Sequence, residues 1–284
     1  IISFLFLTTN IPISHSEIET TENNIIYVDD DNTMGPWDGS VDHPFQHVQE
    51  AINHAIDGDT IFVHNGTYPI KNLFCNKSID LIGEDKKETI IKAEIPTNFG
   101  VISFNGSNMN IKNFTFQHNA VFIGDFSLNI SEDRQGNIYF RDNIVKDSVV
   151  GLIVVSFSEQ MSFQILDNLF IGGGSDSLGI VCALDGGTVL INDNIIEGYY
   201  YGIISTGKGL ISGNHIIRSG YMGITAFADS AGIQQSIISN NFMKNKRHAS
   251  FFYDLSVQDE EAILLALPVN SEISNYFNKY FTIT

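Results

Sequence analysis

Apolar and polar positions alternate in short bursts through the middle of the chain, and the bursts repeat. The segments "NIYFRDNIVKDSVVGLIVVS", "SFQILDNLFIGGGSDSLGIVCA", "TVLINDNIIEGYYYGIIST", "GLISGNHIIRSGYMGITAF" and "SIISNNFMKNKRHASFF" share one plan. Each holds a short apolar strand, an Asn, a second short apolar strand and a polar or glycine-containing turn. In the first four a Gly then opens a third strand. The Asn positions are Asn143, Asn168, Asn194, Asn214 and Asn241, with Asn113 in "NIKNFTF" as an earlier, looser member; the Gly positions are Gly151, Gly179, Gly202 and Gly223. Alternation over so few residues is the pattern of half-buried strands.

A unit of three very short strands cannot bury its apolar face alone. Coiled so that each strand pairs with its equivalent one turn on, it can, and the pattern therefore predicts an all-β parallel solenoid of seven or eight turns. Asn tolerates the left-handed backbone of a tight corner, and stacked about 4.8 Å apart its side chains can hydrogen-bond along the axis as a structural ladder. Gly at the other corner relieves the same steric problem.

Ahead of the repeats the period changes. Phe45, Val48, Ile52 and Ile56 lie near helical spacing between Pro44 and Gly58, which predicts an amphipathic helix of about three turns capping the open end. "GDTIFVHNGTY" then begins the first turn of the solenoid, and "SIDLIGE" and "TIIKA" continue it. After residue 247 the repeat lapses; acids ahead of "AILLAL" and Pro268 behind it fit a short helix. The expected organisation is a signal segment over 1–16, an acidic strand, loop and cap helix over 17–59, solenoid over 60–247 and a C-terminal segment or cap over 248–284.

With the repeats and the stretch Tyr27–Tyr68 in view, the chain resembles the right-handed parallel β-helix, pectin-lyase-like superfamily. It is most similar to secreted or cell-surface repeat proteins that open "YVDDD…GPWDG…HPF…QEAI…A…GDTI.V.NGTY". The resemblance implies a single-stranded right-handed parallel β-helix with an N-terminal α-helical cap. Enzymes of that superfamily act on uronate polysaccharides. Its lyases pair a calcium carboxylate cluster with an Arg or Lys base, and its hydrolases use several Asp on neighbouring turns. Neither set stands out here. Asp142, Asp167 and Asp193 directly precede ladder asparagines, a place repeated for geometry. Lys146, Arg218 and Lys244 hold similar places beyond the Asn, but Ile171 and Glu197 hold them elsewhere. No Asp-Asp with a following Gly-His-Gly and no Arg-Ile-Lys occurs.

Charge narrows the choice of partners. The chain of 284 residues carries a formal charge of −18, which argues against nucleic acid. Residues 1–70 contain eleven acids and no Lys or Arg. The run Ile1–Leu7, with Ser14 and Ser16 behind it, reads as the apolar core and cleavage site of an export signal, hence a secreted or cell-surface protein. No other run is long and apolar enough to span a membrane, and the repeats could equally be one section of a longer surface protein.

Asp29, Asp30, Asp31 and Asp38, with Asn32, offer oxygen ligands that suit Ca²⁺ in kind. They fail an EF-hand register, since Met34 falls where an oxygen is needed, and the alternative is an acidic loop hydrogen-bonding its own backbone. Trp37 is expected to cover the cap helix. Aligning Gly202 with Gly223 sets Tyr200 over Tyr221, with Tyr199 and Tyr201 beside them and Glu197, Asp193 and Arg218 nearby. That is the candidate carbohydrate site, unless the aromatics only stack within the sheet. Cys75 and Cys182 fall several turns apart, too far for a disulfide, and are expected to be free, buried thiols. The reading is a non-catalytic scaffold or adhesin-like protein contacting polysaccharide, with no required cofactor and Ca²⁺ as a candidate ion. The rival is a polysaccharide lyase or glycoside hydrolase.

Overall fold

The computed structural model describes residues 24–94, 100–124, 134–172, 176–227, 236–239, 242–244 and 248–253. Asn241, the signal-like segment 1–16 and residues 254–284 lie outside them. Every strand pairing is parallel, in three sheets of nine, eight and eight strands, here called A, B and C. The chain passes A, B, C in each rung and returns to A, so the fold is a parallel β-helix. Rung 1 is Thr60–Val63, Gly66–Ile70 and Asn72–Cys75, and rung 2 is Asp80–Gly83, Thr89–Ala93 and Gly100–Phe104. Rung 3 is Met109–Lys112, Thr115–Gln117 and Asn119–Gly124; rung 4 is Gln135–Arg141, Ile144–Ser148 and Val150–Ser156. Rung 5 is Gln160–Leu166, Leu169–Gly172 and Leu178–Leu184; rung 6 is Thr188–Asn192, Ile195–Glu197 and Tyr201–Thr206. Rung 7 is Lys208–Ser212, His215–Ile217 and Met222–Phe227, and rung 8 is Ser236–Ser239, Phe242–Lys244 and His248–Tyr253. The solenoid thus runs past residue 247, because "HASFFY" supplies the last strand of sheet C.

Alternation decides which side chains enter. One inward column per sheet runs the length of the core: Ile61, Leu81, Ile111, Phe140, Ile165, Ile191 and Ile211 in sheet A, each at most 1% exposed. Sheet B contributes Tyr68, Ile91, Phe116, Val145, Phe170, Ile196 and Ile216, and sheet C contributes Leu73, Ile102, Val121, Leu152, Ile180, Ile203 and Ile224. Each side chain so buried contributes about 1.5–3 kcal/mol. No rung achieves this without its neighbours.

At the A-to-B corner the left-handed residue is not the ladder Asn but the one before it. Asp142, Asp167 and Asp193 have φ between 54° and 56°, and Gly213 takes the same place with φ 67°. Asp tolerates αL because its short polar side chain bonds locally. The following Asn is then free to turn inward, and Asn143, Asn168, Asn194 and Asn214 are at most 2% exposed. Asn168 Oδ1 accepts the Asn143 N–H at 2.9 Å, while Asn168 Nδ2 donates to Phe140 O at 2.8 Å and Asn194 Oδ1 at 3.0 Å. Asn113 sits at the left-handed corner, φ 64°, so Phe114 takes the ladder position and donates its N–H to Asn143 Oδ1 at 3.0 Å, which leaves Asn113 out of the stack.

The glycines of sheet C also act otherwise than expected. Gly151, Gly179, Gly202 and Gly223 are not left-handed. The first three are required because a Cβ on Gly151 would lie 2.5 Å from Gly179 O, one on Gly179 2.4 Å from Gly202 O, and one on Gly202 2.4 Å from Gly223 O.

The N-terminal end is closed in two ways. Ile25–Val28 pairs with Thr60–Val63 as a ninth strand of sheet A. The helix runs Val48–His54, two turns rather than three, and buries Val48, Ala51 and Ile52. Phe45 is extended and bridges to Val28, and Ile56 lies beyond the helix, 52% exposed, its N–H bound by Asp59. Two contacts that helical periodicity could not show hold the cap in place. The Gln49 amide pairs with the Phe74 backbone as a strand would, at 2.9 and 3.0 Å, closing the open edge of sheet C. Lys77 Nζ donates to the carbonyls of Ile52, Asn53 and Ala55, satisfying the helix C-terminus. Trp37 lies over Gly35 and donates to Asn32 O, 47% exposed, and not over the helix.

Candidate functional site

The B-to-C corner of rungs 6 and 7 brings together most of the residues expected to meet carbohydrate, and removes one of them. Tyr199 points into the core, 1% exposed, its hydroxyl 3.2 Å from Ser148 Oγ, and burial pushes its phenol well above the ordinary range. Alternation is the reason: the residue after Gly198 turns inward, and so the next turns out. Tyr200 and Tyr221 both face outward, with centroids 5.6 Å apart and rings 8° from parallel. Tyr201 is buried and meets both rings edge-on at 5.2 and 5.5 Å, and burial pushes it up to about 12. Gly220 is needed here, since a Cβ would lie 2.7 Å from the Tyr200 ring.

Glu197 and Arg218 pair beside the rings, with side chains 27% and 68% exposed. Such a pair contributes little to stability. Arg218 is itself left-handed, φ 58°, and the register place of Lys146, Ile171, Glu197 and Lys244 belongs to Ile217 in this rung. Asp193 lies at the other end of the sheet B strand, its carboxylate against Gly213 and Asn192. The tyrosines border an apolar outer face of sheet C, where Phe122, Ile153, Val155, Val181 and Ile204 are each at most 8% exposed and Tyr200, Tyr221 and Met222 pack against the cluster.

The acidic loop distributes its carboxylates among separate turns. Asp29 Oδ1 accepts the Asp31 N–H at 3.0 Å. Asp38 Oδ1 accepts the Ser40 N–H at 2.9 Å, and hydrogen bonding to Ser40 holds its carboxyl below the usual range. Asp30 reaches rung 1, accepting the Thr67 N–H at 3.0 Å, and occupies the space of a Cβ on Gly66, only 2.0 Å from its Oδ1. The carboxylates of Asp29, Asp30 and Asp38 thus serve backbone, and among the described residues no three His, Cys, Asp or Glu side chains converge. Cys75 and Cys182 are free and buried, in rungs 1 and 5 of sheet C. Burial raises both thiols.

One concavity escaped the sequence reading because its residues fall on separate rungs with no motif. On the outer face of sheet A a groove of about 730 Å³ is lined by Thr60, Asp80, Asn110, Tyr139 and Arg141, with the apolar Ile79 and Met109 between them, and ends at Leu166. Only the register, which sets Asp80, Asn110 and Tyr139 side by side, reveals it.

Among the described residues no helix is long and apolar enough to cross a membrane. No curated protein and no solved structure matches the chain. A family model described as periplasmic copper-binding protein (NosD) matches residues 52–254, from the cap helix to the end of rung 8. On that match the chain belongs to the NosD family, a periplasmic family, and its β-helix is the part that the family shares.

Proposed function

We propose that this is an exported, non-catalytic β-helix scaffold that contacts polysaccharide at the corner of rungs 6 and 7. The observation that carries the reading is the Tyr200–Tyr221 pair, stacked on adjacent rungs at the edge of an apolar face with Glu197 and Arg218 alongside. Two like aromatics one rung apart repeat along the axis, as the units of a polymer do. Because the rings stack on each other, their mutual faces are taken, and a partner meets the part of this half-buried pair that remains exposed. Tyrosine suits a partner that is apolar on one side and hydroxylated on the other. The periplasmic family supports export.

Copper, named in the family's description, does not fit the described side chains. Copper(I) selects soft sulfur ligands and copper(II) nitrogen and oxygen donors. Both cysteines are buried four rungs apart, and His64, beside the first strand of rung 1, has Glu84 at 3.3 Å and otherwise lies against Tyr27 and Phe62. The reading therefore uses no metal.

The test is affinity electrophoresis of the protein through gels containing neutral or acidic polysaccharides. New reducing ends and unsaturated-uronate absorbance are followed in parallel, with and without Ca²⁺. Retardation without products in at least one gel, reduced in a Tyr200→Ala/Tyr221→Ala double variant, is the expected result. Products from any substrate would establish the rival enzymatic reading, and free migration in every gel would overturn polysaccharide contact.

A further inference from the structure

We propose that the groove on sheet A is a second, independent binding site, for a neutral, hydroxyl-rich oligosaccharide. Its volume of about 730 Å³ falls within the range of small-ligand clefts. Asp80, Asn110 and Tyr139 occupy one outward column on rungs 2, 3 and 4, following Thr60 on rung 1. At about 4.8 Å per rung the four positions extend roughly 14 Å, which suits several sugar rings rather than one. Beyond the groove the same column continues as Gln164, Leu190 and Leu210 on rungs 5, 6 and 7, so it turns apolar from rung 6 onward.

The internal hydrogen bonds fix which atoms are left for a ligand. Asn108 Oδ1 accepts the Asn137 N–H at 3.0 Å, and Asn110 Oδ1 accepts Arg141 Nε–H at 3.0 Å. With both carbonyl oxygens held, the two Nδ2 groups remain as oriented donors. The Asp80 carboxylate has no hydrogen bond or ion pair among the described residues, and the residue is half-buried. An unpaired acceptor on rung 2 beside oriented donors on rung 3 is the complement of a pair of neighbouring hydroxyls, each of which both gives and takes a hydrogen bond. Tyr139 on rung 4 adds an aromatic surface with a polar tip.

Neutrality of the ligand follows from charge. Asp80 and Arg141 balance within the groove, Arg141 Nη1 is already 3.5 Å from Asp142, and the chain as a whole carries −18. A uronate polymer would meet net repulsion here. The groove lies on a different sheet from the tyrosine corner and nearer the N-terminal end, so the two sites can fail separately.

The experiment is titration calorimetry of the whole protein with cellohexaose, mannohexaose and hexagalacturonate. It is run on wild type, on Asp80→Asn, Asn110→Ala and Tyr139→Ala, and on the Tyr200→Ala/Tyr221→Ala variant as control. Far-UV circular dichroism and the thermal midpoint check folding, and Tyr139→Phe separates the ring from its hydroxyl. The expected result is binding of a neutral hexamer, weakened about tenfold or more by each groove substitution and retained in the double tyrosine variant. Absence of neutral-hexamer binding, binding indifferent to the groove substitutions, or preference for hexagalacturonate would overturn the proposal. Loss only in the double tyrosine variant would do so too, while supporting the corner site.

Discussion

Replacing Asn168 by Ala removes a side chain that serves two rungs at once. The Asn143 N–H loses its acceptor at 2.9 Å, the Phe140 carbonyl loses a donor at 2.8 Å, and the link to Asn194 Oδ1 at 3.0 Å goes too. Asn168 is 2% exposed, so water does not replace these partners. A backbone group orphaned in the interior costs about 1–3 kcal/mol, and a lost side-chain hydrogen bond about 1. The total is about 4 kcal/mol, a large part of the roughly 5–15 kcal/mol that holds an ordinary domain folded. Urea unfolding followed by far-UV circular dichroism measures it. Amide exchange at Asn143 gives a local reading that does not depend on all rungs unfolding together. A loss below about 1 kcal/mol with the Asn143 amide still protected would refute the reasoning. Asn168→Asp sharpens the test. A carboxylate can accept from Asn143 but can donate to Phe140 only when protonated, so burial and that bond both raise its pKa in the folded state. The folded protein then holds a proton that the unfolded chain releases near pH 3.9, and stability relative to Asn168→Ala is greatest below that pH and lost as pH rises through the folded value.

Ser205 Oγ is buried without a hydrogen-bond partner, between Cys182 and Ala226 in sheet C. Ser205→Ala is therefore expected to stabilise by about 1 kcal/mol, read from the urea midpoint. Asp167 is left-handed with φ 55°, where rung 7 has Gly213. Asp167→Gly is expected to be neutral or to stabilise by up to about 1 kcal/mol, whereas Asp167→Val costs about 1–2, both by thermal unfolding. Burial raises the thiols of Cys75 and Cys182, so at pH 8 a thiol-reactive disulfide reagent should label neither quickly in the native protein and both in 6 M guanidinium. Because the folded thiols are raised, taking the pH from 7 to 9 should accelerate native labelling less than it does for a free thiol.

The parallel β-helix could be read directly because its signal is local and repeated. One period of two in each strand and one Asn per rung are enough to fix the strands and the order in which they stack. Errors arose where a residue's environment depends on its neighbour's backbone. The left-handed corner belongs to Asp167 and not to Asn168, since nothing in the letters "DN" says which of the two bends. Tyr199, Tyr200 and Tyr201 look alike in sequence, yet alternation around Gly198 sends the first into the core and leaves the second outside. The helix stops at His54 because Ile56 is held by Asp59, a contact that helical spacing does not encode. The sheet A groove was illegible for a further reason: Asp80 and Tyr139 come together only through register across two intervening turns of chain.

The ladder bonds all run one way. Phe114, Asn143, Asn168 and Asn194 each give their N–H to the Asn one rung later, at 2.9–3.0 Å. Asn143, Asn168, Asn194 and Asn214 each give Nδ2 back to a sheet A carbonyl one rung earlier, at Ile111, Phe140, Ile165 and Ile191. Each corner is thus finished by the turn that follows it, 20–29 residues on. In a chain that emerges N-terminus first, every new rung seals its predecessor and waits in turn to be sealed. The helix and the strand at the front supply a lid already in place, so growth has a fixed starting block and a single direction. Contacts of such short reach make this one of the few β architectures that can be wound up as it is delivered, without waiting for its far end.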